Sequence, residues 1–127
     1  MNIQPHKILI VEDNALNRRL YRQLLRSQGF TTFESEGARE ALALARTHRP
    51  DIILMDIQLP EVSGMEATQW LKADDELKSI PVIAVTAFAM DGERDAILAA
   101  GCDAHVSKPV GGQNLLAVIR SHLPPHT

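Results

Sequence analysis

Four places in the chain put chemically capable side chains directly after apolar runs. Glu12 and Asp13 follow KILIV (7–11), Asp56 follows IILM (52–55), Thr86 follows VIAV (82–85), and Lys108 follows AHVS (104–107), just before Pro109. Three carboxylates gathered in one place repel each other, and a bound cation relieves that repulsion. All the available ligands are hard oxygens, with no clustered Cys or His, so magnesium or a similar cation suits them better than zinc. A lysine and a hydroxyl beside such a cation would stabilise the oxygens of a transferring phosphoryl group. An aspartate can itself be the nucleophile and become an aspartyl phosphate. Taken singly, each residue has an ordinary explanation: Asp13 as a loop or capping residue, Thr86 as a capping hydroxyl, Lys108 as a solvated charge. The common placement of all four at the ends of strand-like runs is what points to a site.

Those runs alternate with helical patterns along the whole chain. Strands are expected at Lys7–Val11, Phe30–Phe33, Ile52–Met55, Val82–Val85 and Ala104–Val106. The first, third and fourth are almost wholly apolar without period-two alternation, as strands buried on both faces are. Between them, Asn14 can cap a helix carrying Leu16, Leu20, Leu24 and Leu25, which Gly29 ends. Further helices are expected over 38–47, closed off by Pro50, from Ser63 through Trp70, over 91–100 and over 114–123. Alternating βα units of this length imply an α/β fold with a doubly wound parallel sheet and helices on both faces. The polar residues then share the carboxyl-terminal edge of the sheet, where open α/β sheets bind ligands.

The size of the chain, 127 residues, fits one domain, with a core from about 7 to 123 and short tails. Its net charge of −3 argues against nucleic-acid binding, which calls for a basic patch. No apolar run approaches the roughly 18 residues needed to cross a bilayer, and the first residues have no signal-peptide pattern. The single cysteine, Cys102, reads as a small hydrophobe in a loop or at a strand edge, and a reducing cytoplasmic setting is expected.

The segments VEDN (11–14), DIILMDIQLPEVSG (51–64), PVIAVTA (81–87) and GCDAHVSKPV (101–110) resemble those of response-regulator receiver domains, in the stand-alone or hybrid-kinase flavour of the CheY-like superfamily. The resemblance covers about residues 7–123. It implies the flavodoxin-like (βα)5 fold with strand order 2-1-3-4-5. It implies magnesium, with manganese as a possible substitute, held by Glu12, Asp13, Asp56 and the backbone carbonyl of Gln58. By the same resemblance Asp56 is the phosphoacceptor, Thr86 moves onto the phosphoryl group, and Lys108 pairs with a phosphoryl oxygen. Pro60 and Gly64 match the loop that turns back to the third helix, and a cis Lys108–Pro109 bond would aim the lysine. The implied partners are a histidine kinase or histidine phosphotransfer protein, and a downstream protein reached through the last helices.

Three departures from the family pattern stand out. His105 stands where Tyr or Phe usually serves as an aromatic switch, Gly111 and Gly112 make a poor helix start, and the Gln58 side chain faces the phosphoryl site, at a position that tunes hydrolysis in the family. The function expected is a phosphoryl-accepting switch in two-component signalling, not a metabolic enzyme, with only its own phosphorylation and dephosphorylation as activity. A phosphatase of the haloacid dehalogenase type would want a second Asp where Gln58 stands, and flavin binding would want a phosphate-cradling loop where EDNALN is acidic. The alternative is a pseudo-receiver that binds proteins without phosphorylation.

Overall fold

A computed structural model describes residues 5–87, 91–108 and 112–123. In chain order these form β1 (Lys7–Val11), α1 (Ala15–Ser27), β2 (Thr31–Ser35), α2 (Ala38–His48), β3 (Ile52–Asp56), α3 (Gly64–Ala73), β4 (Val82–Thr86), α4 (Asp91–Ala99), β5 (Ala104–Ser107) and α5 (Gly112–His122). The strands make one parallel sheet in the order β2-β1-β3-β4-β5, the doubly wound topology expected from the sequence. Because the chain leaves β1 for one edge and then builds the other from β3, the crevice between β1 and β3 is the switch point of the sheet.

Apolar runs make the central strands because both faces are covered. Every residue of β3 and β4 is buried. Leu9, Ile53, Met55, Val82 and Ala84 face Ala41 of α2, Ala67 of α3 and Ile97 of α4. Ile8, Ile10, Leu54 and Val106 face Leu25 of α1 and Leu115 and Ile119 of α5. The edge strand β2 is only partly covered and mixes polar with apolar residues. It runs one residue later than the sequence pattern suggests and extends to Ser35. Phe30 stays outside it because its N–H closes the end of α1 on the Leu25 carbonyl at 3.1 Å.

The helix signals hold at the caps. The Asn14 side chain accepts from the Asn17 N–H at 2.9 Å, and the Ser63 hydroxyl accepts from the Glu66 N–H at 3.2 Å. Gly29, with φ 88°, carries the turn into β2. The leucines of α1 divide between core and surface. Leu25 is fully buried, but Leu16 and Leu20 are 62% and 52% exposed. At 3.6 residues per turn, Leu16 lies roughly 180° around the helix from Leu25, and Leu20 roughly 140°. The last helix starts at Gly112, two residues before the expected start at Asn114.

Candidate functional site

The loop after β1 delivers the acidic pair. The Glu12 N–H bonds to the Ser35 carbonyl at 3.0 Å, continuing the β1–β2 ladder one residue past the strand. Arg18 reaches back from the first turns of α1 and donates through Nη1 to the carbonyls of Glu12 and Asp13, at 2.8 and 3.0 Å. Glu12 is 1% exposed while Asp13 is exposed to solvent. Glu12 Oε1 accepts from the Asn14 N–H at 3.3 Å and from Asn17 Nδ2 at 3.4 Å. Its other oxygen, Oε2, is buried with no hydrogen-bond partner among the described residues.

Asp56, the last residue of β3, is 2% exposed. Its Oδ1 accepts from the Gln58 N–H at 2.9 Å. Lys108 spans the site from the end of β5, with Nζ 3.3 Å from Asp56 Oδ2 and 3.6 Å from Glu12 Oε2. The second distance serves an ion pair but exceeds hydrogen-bond reach, so Oε2 remains without a donor. One oxygen each from Glu12, Asp13 and Asp56 lie within 4.8 Å of one another. Three converging hard donors, on a site where a buried Glu12 oxygen accepts no hydrogen bond among the described residues, fit a small divalent cation. Gln58 is exposed in the loop that follows, and Gly64 brings α3 back against it, its N–H on the Ile57 carbonyl at 3.0 Å.

The crowding shows in the electrostatics. Burial, and next the neighbouring Asp56 charge, hold the Glu12 carboxyl above its ordinary 4.5, with Lys108 pulling the other way. Burial, and then the charges of Glu12 and Asp56, push the Tyr21 phenol of α1 up to about 12. A carboxyl raised in the fold stabilises fully below its unfolded value, and that contribution is lost as pH rises through the raised value. Metal-free protein should therefore lose stability from this group as pH climbs above 4.5. Glu12→Gln keeps the shape and removes the loss. In chelator at neutral pH the variant should melt above the parent. The gap should close in acid below the unfolded value. Identical melting curves at neutral pH would mean that Lys108 fully offsets the burial.

Thr86 closes β4, fully buried, and its hydroxyl donates to Glu93 Oε1 in the first turn of α4. On β5, His105 pairs with Ala84 and is partly buried. Strand alternation puts His105, Ala84 and Thr86 on the same sheet face, the one α4 covers. The sequence placed Glu12, Asp13, Asp56, Thr86 and Lys108 together at one edge, and the structure brings them there. Pro109 lies outside the described residues, and the expected cis bond with it; Gly111 lies outside them too, whereas Gly112 opens α5. Sequence reasoning missed Asn17, Arg18 and Glu93. Asn14 signalled a cap by its type and place, but nothing signalled the contact of Asn17 with Glu12.

The model of the response regulator receiver domain family matches residues 8–120. The chain belongs to the response-regulator receiver domains. It acts in two-component signalling, and such domains interact with histidine kinases or phosphotransfer proteins. It is 56% identical over 119 residues to the polar-differentiation response regulator DivK of Brucella anthropi, covering 94% of this chain and 97% of that one. DivK of Brucella ovis is 54% identical over 116 residues, covering 91% and 94%. Among solved structures, the receiver domain of a sensor histidine kinase from Pseudomonas aeruginosa superposes with a TM-score of 0.87 at 33% identity, covering 94% of this chain and 98% of that one. That receiver holds a magnesium ion coordinated in its active-site cleft. The chemotaxis protein CheY4 of Vibrio cholerae gives a TM-score of 0.90 at 25% identity, covering 94% and 100%. Among the described residues of this receiver, no helix is long and apolar enough to cross a membrane.

Proposed function

We propose that this receiver accepts a phosphoryl group on Asp56 with a magnesium ion held by Glu12, Asp13, Asp56 and the Gln58 carbonyl, manganese being an acceptable substitute. The observation that carries the reading is the convergence of the Glu12, Asp13 and Asp56 carboxylates, with a buried Glu12 oxygen that accepts no hydrogen bond among the described residues. When bound, the cation neutralises the carboxylates and the oxygens of the incoming group. An Asp56 carboxylate oxygen attacks the phosphorus of a phosphohistidine. The P–O bond forms as the P–N bond breaks, and the imidazole nitrogen leaves with the electron pair. Lys108 shifts from its pairing with Asp56 and Glu12 to a phosphoryl oxygen, and the Thr86 hydroxyl donates to another. His105, under α4 beside Ala84, takes the position of the aromatic switch. Autophosphorylation from small donors and slow self-dephosphorylation are the only reactions expected. The chain acts as a single receiver domain in the cytoplasm, signalling to a protein target through its last helices, where Leu98 is 52% exposed.

The test is uptake of one phosphoryl group from a panel of histidine kinases, and from acetyl phosphate, with and without magnesium. One equivalent, dependent on the metal, supports the reading; none from any donor would leave a phosphorylation-independent binding module. A second measurement isolates the metal. Asp13 is exposed and its backbone, not its side chain, receives Arg18. Asp13→Ala should weaken magnesium binding by calorimetry about tenfold or more, roughly 1.4 kcal/mol. It should leave the metal-free melting temperature equal or higher, because a repelling charge is gone. A clear fall in metal-free stability would make Asp13 structural.

A further inference from the structure

Thr86 is tied, through its one proton, to a residue that no sequence motif singles out. We propose that Glu93 is a positioning residue that holds Thr86 in its resting orientation, so that its hydrogen bond and the phosphoryl contact of Thr86 exclude each other. The proposal rests on the reading of Thr86 as the hydroxyl that meets the phosphoryl group. A threonine hydroxyl has one proton to donate, whereas an ionised carboxylate and a phosphoryl oxygen only accept. In the structure that proton goes to Glu93 Oε1.

The placement makes the two acceptors compete. Asp56 pairs with Val85, the residue before Thr86, so the phosphoryl site lies against the neighbouring strand at nearly the same level. Glu93 approaches instead from α4, over the sheet face that Ala84 lines. Turning Thr86 toward Asp56 takes its hydroxyl away from α4. A hydrogen bond to a charged acceptor is stronger than one between neutral groups, so the resting orientation resists release. Once the bond breaks, the first turn of α4 loses a tie to β4, which links the state of Asp56 to that helix. A carboxylate in a first helical turn also has a bland role, since the helix dipole favours it there. That role would not depend on Thr86, and this difference makes the proposal testable.

Beryllofluoride, a phosphoryl mimic, is titrated in saturating magnesium against the parent, Glu93→Ala and Glu93→Gln, each with Thr86 and with Thr86→Ala, and occupancy is read by NMR. Glu93→Ala should bind the mimic on the order of tenfold tighter than the parent. Glu93→Gln should gain less, because its amide oxygen still accepts but carries no charge. Magnesium affinity without the mimic should move by less than about twofold. In the Thr86→Ala background, Glu93→Ala should have no effect on mimic binding. Unchanged or weaker binding by both Glu93 variants overturns the tie, as does an effect of equal size without Thr86. A parent that binds no mimic, or an Asp56→Asn variant that binds it equally well, would instead sink the reading of the site and the proposal with it.

Discussion

Replacing Asp56 by Asn should abolish phosphoryl uptake while leaving the fold intact. The amide keeps the shape of the carboxylate but is a far poorer nucleophile, and no second group in the site takes over. Glu12 is buried, with one oxygen held by Asn14 and Asn17 and the other facing Lys108. Asp13 is exposed at the rim. Incorporation from labelled phosphohistidine or acetyl phosphate should fall to background, a loss of at least about a hundredfold. Stability should not suffer. Lys108 keeps Glu12 as an ion-pair partner at 3.6 Å, and the charge that repels Glu12 is removed. The metal-free variant should therefore melt no lower than the parent. Label retained at the original rate would place the acceptor elsewhere, and loss of label with an unfolded variant would make Asp56 structural.

Much of this site was legible because a parallel sheet writes its edge into the sequence. Strands buried on both faces appear as unbroken apolar runs, and a polar residue ending such a run stands out against them. Glu12, Asp56, Thr86 and Lys108 were found that way, and the βα alternation supplied the fold. The family resemblance, not the pattern, supplied the strand order and the Gln58 carbonyl. The edge strand was read less well, since half-exposed TTFES carries no such run, and its start depends on a backbone bond from Phe30 to α1. The leucines of α1 show a related limit: they mark the helix but not which of them it buries. Spacing of four residues drifts by roughly 40° per step around a helix, so the row Leu16, Leu20, Leu24 starts exposed and turns toward the core only at its end.

The residues that were missed act on the recognised ones from a distance in sequence. Glu93 lies seven positions after Thr86 and meets it only because α4 folds back over β4. Arg18 reaches the carbonyls of the acidic pair because α1 starts beside them, and nothing in its type separates it from Arg19, Arg22 or Arg26. Such positioning contacts come from tertiary packing. They have no period and no run, and only the assembled edge of the sheet reveals them.

Gly64 offers the sharpest test of how tightly that edge is built. It is the first residue of α3, and a Cβ placed on it would lie 2.2 Å from the Asp56 carbonyl oxygen and 2.8 Å from the Ile57 Cα. Both obstacles are backbone, one belonging to the proposed phosphoacceptor itself, so no side chain can swing aside to make room. Alanine in a helix is ordinarily favoured over glycine by about 1 kcal/mol. Here that gain is outweighed, because relief requires the β3–α3 loop or the end of β3 to move, at a cost of about 3 kcal/mol or more. Gly64→Ala should therefore lower the stability by about 2 kcal/mol net, read as a fall in the urea midpoint at unchanged slope. The same shift would move Asp56 and the Gln58 carbonyl, so magnesium affinity should drop together with stability. Gly37, whose added Cβ would meet nothing within 4 Å, serves as the control, and Gly37→Ala should leave magnesium binding unchanged. If Gly64→Ala were as stable as the parent, the loop after Asp56 would have a second arrangement of equal energy, and close backbone packing could not be what fixes the phosphoacceptor in place.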